Sequence, residues 1–206
     1  AAVDELSAAS LPLPLTRLLG RDRDLELLQQ WLADPAARLI TLVGPGGVGK
    51  TRLALEVARS VAEDDATRVA FVGLASIRQA TFVASAIAEA LGLSDITAVD
   101  LPRHVQALCN QKRPILLVLD NCEHVLDAAP LVADLATSGR SLRVLATSRA
   151  ALRVRGELLY AVEPLGLQTD SAAMSPVDLA RVPAVRLFLE RVREVPDVER
   201  LDREAH

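Results

Sequence analysis

Five short apolar runs punctuate the chain, and stretches with helical spacing lie between them. Leu39, Ile40, Leu42 and Val43 make the first run, interrupted only by Thr41 and ended by Gly44, which suits a strand buried on both faces. Arg68 to Leu74, Ile115 to Leu119, Leu142 to Ala146 and Leu158 to Val162 repeat the pattern. Ahead of the first strand, Leu25, Leu28, Trp31 and Leu32 recur at helical spacing until Pro35 ends the run. Helical patterns also follow Gly49, run from Ala80 through Val83, Ala84, Ile87 and Ala88 to Leu91, and join Leu101, Val105 and Leu108. A last one links Val185, Phe188, Val192 and Val195. Parallel strands need crossover helices, so this alternation predicts an α/β fold: a five-stranded, mostly parallel sheet with helices on both faces. Residues 94–100 and 166–178 read as polar connections, and the ending, 197–206, is charged without pattern.

The first run leads straight into GPGGVGKT, which fills the fixed positions of G-x-x-x-x-G-K-[ST] with Gly44, Gly49, Lys50 and Thr51. Such a match arises by accident in about one chain in a hundred of this length, before strand and helix context are demanded. Both contexts are present. Glycines let successive backbone N–H groups turn inward on phosphate oxygens, and the positive end of the following helix faces the same anion. Lys50 is expected to reach the outer phosphates, and the Thr51 hydroxyl to ligate magnesium. The candidate nucleotide contacts are therefore Gly44, Pro45, Gly46, Gly47, Val48, Gly49, Lys50, Thr51 and Arg52. This is the signature of a P-loop NTPase.

Two further strand ends carry polar groups. Asp120 closes the run Ile115 to Leu119, and a carboxylate at the carboxyl end of a central strand sits at the ligand crevice, where it can hold magnesium. Glu123 follows; it can orient an attacking water, or serve as a first-turn carboxylate that the helix dipole favours. Leu142 to Ala146 ends in Thr147, Ser148 and Arg149, which can set a hydroxyl and a planar guanidinium beside the terminal phosphate. Arg140, Arg143, Arg153 and Arg155 lie close in sequence, so a solvated basic edge is the other reading of Arg149.

Composition narrows the class of partner. Half of the 206 residues are apolar, enough for a sizeable core, yet only one Trp, one Tyr and three Phe are present. With a net charge of -4 the segment has neither stacking platforms nor a cationic surplus, so direct nucleic-acid binding is not expected of it. No apolar run reaches membrane-spanning length and no signal segment opens the chain, so no membrane role and a cytoplasmic location are expected. Cys109 and Cys122 have no metal-site spacing and read as small core residues. Lysine occurs only at Lys50 and Lys112, so the one in the phosphate loop is not compositional noise.

Taken together, LLGRDRD at 18–24, GPGGVGKT at 44–51, LLVLDNCEH at 116–124, TSR at 147–149 and PAVRLFLERV at 183–192 resemble a known nucleotide-binding domain. It is that of STAND-class signal-transduction ATPases, related to the NB-ARC and AAA+ groups, in the branch found in bacterial transcriptional regulators of the LuxR and SARP types. The resemblance covers roughly residues 12–195 and implies an ATP/ADP-binding switch with slow, magnesium-dependent hydrolysis. It implies that Leu19, Gly20 and Arg21 border adenine, that Asp120 is the magnesium aspartate, and that Arg149 is the first sensor. The position after Asp120 departs from the pattern in being Asn121, which leaves the hydrolytic base open between Glu123 and none.

Relatives continue into a helical bundle with a Gly-Leu-Pro motif and on to effector domains, and no such motif follows Val195. The expected organisation is an extended arm or linker at 1–15, the nucleotide-binding domain at 16–168, and a helical extension at 169–206 that begins the next subdomain. Sensor and effector domains, and a nucleotide-dependent oligomer, are the expected partners beyond nucleotide. Two other activities fit the phosphate loop: an actively hydrolysing AAA+-type ATPase and a small-molecule kinase.

Overall fold

A computed structural model describes residues 11–13, 16–63, 66–93, 96–111, 113–166, 176–179 and 182–193. Most of the expected arm (1–10, 14 and 15), Lys112, residues 167–175 and the charged ending lie outside the described residues. Helix α1 (Asp22–Ala33) precedes β1 (Leu39–Val43) and α2 (Lys50–Ala62). Next come β2 (Arg68–Gly73), α3 (Thr81–Ala90), α4 (Leu101–Cys109) and β3 (Ile115–Asp120). Two 3-10 turns lead to α5 (Ala129–Ser138), β4 (Leu142–Ser148) and β5 (Glu157–Ala161), and then to α6 (Pro176–Leu179) and α7 (Pro183–Arg193). Among the described residues no helix is long and apolar enough to cross a membrane.

The strands form one sheet in the order β2-β3-β4-β1-β5, and each observed pairing is parallel. This is the predicted fold class. Side chains on a strand alternate in direction, so β3 feeds two cores. Ile115, Leu117 and Leu119 pack with α3, α4 and α5, while Leu116 and Val118 join Leu28 of α1 and Leu53, Ala54 and Val57 of α2. All six residues of β3 are buried, Asp120 included. Each buried aliphatic side chain contributes about 1.5–3 kcal/mol, which offsets burying one carboxylate provided that the carboxylate finds donors.

The structure differs from the sequence pattern at three places. β5 begins at Glu157 and ends at Ala161, one residue earlier than the apolar run, because Val162 leaves the ladder after its N–H donates to the Val43 carbonyl at 2.8 Å. Helix α6 occupies the end of what reads as a polar connection. The third is α5, to which the apolar pattern assigned nothing. It must exist, since β3 and β4 are parallel neighbours that need a crossover, and its Ala129, Val132, Leu135 and Ala136 are buried.

Candidate functional site

Because β1, β3 and β4 are parallel neighbours, their carboxyl ends lie side by side, bringing Gly44, Asp120 and Ser148 to one edge. Gly44 opens the loop with φ 156°, and a Cβ there would lie 2.8 Å from the Val162 carbonyl oxygen, so only glycine lets the loop leave beside the end of β5. The loop closes at Gly49 (φ 99°), and Lys50 starts α2. Lys50 is only 8% exposed. It turns back into the loop, where Nζ donates to the carbonyls of Gly44 at 2.8 Å and Pro45 at 2.9 Å. An ammonium has three N–H bonds, so a donor remains for a ligand.

Asp120 receives two hydroxyl groups on one oxygen. Thr51 Oγ1 donates to Asp120 Oδ1 at 2.7 Å and Thr147 Oγ1 donates to the same atom at 2.6 Å. Thr147 in turn accepts the Asn121 N–H at 3.0 Å. The TSR hydroxyl thus aims the strand-end carboxylate and does not stand free for phosphate, a role that the sequence pattern did not distinguish. Asn121 has φ 64°, a left-handed conformation that asparagine tolerates better than a carboxylate with a longer side chain would. Thr51 and Asp120 together offer the hard oxygen donors that magnesium takes.

Glu123 and Arg149, considered separately in the sequence, form a pair. Arg149 Nε lies 3.1 Å from Glu123 Oε1, with the arginine side chain 65% exposed and the glutamate 12%. Glu123 Oε2 is buried without a hydrogen-bond partner among the described residues. A Cβ built on Gly46 would lie 3.7 Å from the Arg149 guanidinium, so that group stands against the phosphate loop. Glu123 and Arg149 line a cleft of about 290 Å³ with Gly46, Gly47, Gly49, Lys50, Thr51, Arg52 and Asn121. A second cleft of about 530 Å³ adjoins it through Gly46, Gly47, Gly49 and Arg52, and is bordered by Leu19, Arg21, Val48, Pro164, Leu165 and Leu187. Arg52 carries two buried guanidinium nitrogens, Nε and Nη2, without a hydrogen-bond partner among the described residues.

The three residues ahead of α1 separate in role. Leu19 borders the larger cleft. Gly20 faces away toward α7, and a Cβ there would lie 2.4 Å from the Pro183 ring. Arg21 is buried beneath the phosphate loop. Leu165 and Leu187 were not singled out by sequence because no motif marks a lone apolar residue in a helix or connection. A cavity of similar size, about 550 Å³, opens at the amino-terminal ends of β3 and β4 beside Leu32, Val61 and Arg143, away from the carboxyl-end chemistry.

Two titrating groups report on these surroundings. Burial, with the carboxylates of Glu123 and Asp120 nearby, pushes the Cys122 thiol up to about 12, which keeps it protonated and unreactive. Burial and the hydrogen bond that its hydroxyl donates to Asp24 push Tyr160 from its usual 10 to about 12. The folded state therefore holds the phenolic proton more tightly, a contribution to stability that is complete below pH 10 and is lost as pH rises toward 12. Tyr160 is the single tyrosine. Its absorbance titration is expected to centre near 12 in the folded chain and near 10 in urea, and a folded midpoint near 10 would remove the Asp24 hydrogen bond from this account.

Comparison with known proteins locates this architecture. A model of the AAA domain family matches residues 34–154. An uncharacterized protein of Mycobacterium tuberculosis is 35% identical over 185 residues, covering 88% of this chain and 42% of the relative. A protein of the same strain, named as an HTH-type transcriptional regulator, is 41% identical over 159 residues, covering 77% of this chain and 16% of the relative. The chain thus spans less than half the length of either. Among solved structures, the ORC2 protein of Aeropyrum pernix shares the fold at TM-score 0.54 and 18% identity, with 77% of this chain and 52% of that one covered. Cdc6p of Pyrobaculum aerophilum does so at TM-score 0.53 and 16% identity, with 75% and 48% covered.

Proposed function

The chain belongs to the AAA domain family of P-loop ATPases, and from that premise we propose that it is the ATP/ADP-binding switch module of a longer STAND-type signal-transduction ATPase in a bacterial transcriptional regulator. The observation that carries this reading is the cluster at the mouth of the phosphate loop, in which Thr51 and Thr147 converge on Asp120 beside the Glu123–Arg149 pair. The relative named as an HTH-type regulator supports the wider setting, with effector and sensor functions assigned to segments outside this chain.

The loop amides and Lys50 bind the phosphates, and the larger cleft beside Leu19, Leu165 and Leu187 takes the base. Thr51 and Asp120 would hold a magnesium ion, which would supply charge neutralisation of the phosphates. Glu123 accepts Arg149 on Oε1 and has no partner on Oε2 among the described residues, so Oε2 is the atom that orients and deprotonates water, also when Arg149 turns to the third phosphate. In that step the water oxygen bonds to the terminal phosphorus, the bridging oxygen leaves with ADP, and the proton passes to the Glu123 carboxylate. Exposed Arg149 is the only pairing partner of Glu123 among the described residues, and its movement between Glu123 and the third phosphate distinguishes the two nucleotides. Hydrolysis is slow and resets the switch.

Asp120→Asn tests the arrangement. Asparagine retains an oxygen that can accept from both threonines, so the fold is expected to survive while magnesium loses its charged ligand. Titrations of ATP with and without a chelator should show the magnesium-dependent part of the affinity gone and the metal-independent part kept. Equal magnesium dependence in mutant and wild type would return Asp120 to the role of a strand-ending polar residue.

A further inference from the structure

Arg21 is one of few charged residues among the buried ones, at 6% exposure, and its guanidinium joins three segments distant in sequence. Nη1 pairs with Asp24 at 3.1 Å on the first turn of α1. Nη2 donates to the Val48 carbonyl at 3.1 Å and to the Glu163 carbonyl, just past β5, at 2.6 Å. Asp24 is itself held, since its other oxygen accepts the Tyr160 hydroxyl of β5. Arg21 is thus locked from the side opposite the loop, and the atom that it holds on the loop belongs to the phosphate-binding backbone.

The geometry of one peptide unit gives that contact its meaning. The Val48 carbonyl and the Gly49 N–H belong to a planar trans peptide, so the two groups point in opposite directions. Whatever fixes the carbonyl toward Arg21 therefore fixes the N–H toward the other side. Without such a hold this unit is soft, because its plane turns about Val48 ψ and Gly49 φ (99°), and glycine imposes little preference on the latter. A flipped peptide would present a carbonyl oxygen to the phosphates, which replaces attraction by repulsion.

We propose that Arg21 is a positioning residue of the phosphate loop: its guanidinium, anchored by Asp24, fixes the Val48–Gly49 peptide so that the Gly49 N–H faces the nucleotide phosphates, and it does not read the base. The inference rests on the phosphate loop binding nucleotide as proposed above. It gives the Gly20–Arg21 pair two mechanical tasks, seating α7 through Gly20 and setting the loop through Arg21.

The discriminating probe is inorganic tripolyphosphate, which carries the phosphates and no base. Calorimetric titration of tripolyphosphate and of ATP against wild type, Arg21→Met and Arg21→Lys is expected to show both ligands weakened by the same factor. That factor is about 10- to 100-fold for Arg21→Met. It should be smaller for Arg21→Lys, whose single ammonium can hold one carbonyl but lacks the fork that holds Val48, Glu163 and Asp24 together. In ¹⁵N-labelled wild type the Gly49 amide proton should shift strongly on adding tripolyphosphate, and that shift should be lost in Arg21→Met and reduced in Arg21→Lys. If Arg21→Met does not fold, Arg21→Lys and Asp24→Asn carry the same comparison. Weakening of ATP with tripolyphosphate unchanged would make Arg21 a base contact and overturn the proposal, as would no change in either ligand. Wild-type protein that binds neither ligand would overturn the nucleotide reading itself, and this inference with it.

Discussion

Lys50→Ala is expected to remove most of the thermal stabilisation that Mg-ATP or ADP confers. At a ligand concentration a hundredfold over Kd, wild type gains about 2.7 kcal/mol. The Lys50 ammonium joins Gly44 and Pro45 to the start of α2 and still has a donor for phosphate, so its loss opens the loop and removes a charge at once. Charge-assisted hydrogen bonds contribute about 1.5–3 kcal/mol each, so losing the phosphate contact and the loop closure together should weaken nucleotide by about a hundredfold or more. At the same ligand concentration the mutant would then gain only about 0.4 kcal/mol. Because Lys50 is buried and bonded, the apo mutant should also melt lower than apo wild type, by about 1–3 kcal/mol of stability, and each protein must be compared with its own apo form. Differential scanning calorimetry with and without nucleotide measures both quantities. A ligand-dependent gain equal to that of wild type would sink the assignment of the loop.

Arg149→Ala should separate the two nucleotides. The Glu123–Arg149 pair is two-thirds exposed on the arginine side, and pairs of that kind contribute about 0–1 kcal/mol. A hydrogen bond from the same guanidinium to a terminal phosphate contributes about 1.5–3 kcal/mol. The phosphate therefore wins the competition for Arg149, and moving the side chain costs little. ATP should bind the mutant about 10- to 100-fold more weakly while ADP, which lacks the partner, is nearly unchanged. A ligand pair with equal affinities for both states shifts no population, so this difference is what a switch requires. Glu123→Gln sharpens the test: it removes the competitor, so ATP affinity should hold or rise while hydrolysis falls. Equal weakening of ATP and ADP by Arg149→Ala would reduce Arg149 to one more cation on a basic edge.

Much of the site lay within short reach along the chain. The phosphate loop, its strand and its helix are contiguous, so motif spacing and apolar pattern located Gly44 through Arg52 together. Asp120 was legible because a charge ending five branched aliphatics has few other places to be. The STAND subclass rested on resemblance, as no physical property of GRD or TSR by itself specifies a switch.

What the sequence determined alone is the fold class, the five strands and most of the helices. Five apolar runs alternating with amphipathic ones can bury themselves only as a parallel sheet between two helical layers, and that is a local, periodic property. Only the tertiary structure decided which side chains meet. Thr51 and Asp120 are 69 residues apart, Thr147 and Asp120 are 27 apart, and Arg21 reaches Glu163 across 142. Periodicity fixes which face of its own element a residue occupies and carries no information about what stands opposite. Strand order does, and placing β4 between β3 and β1 is what turned Thr147 onto Asp120 and Arg149 onto Glu123. The same order required α5, whose existence the crossover demands and whose own residues announce only weakly.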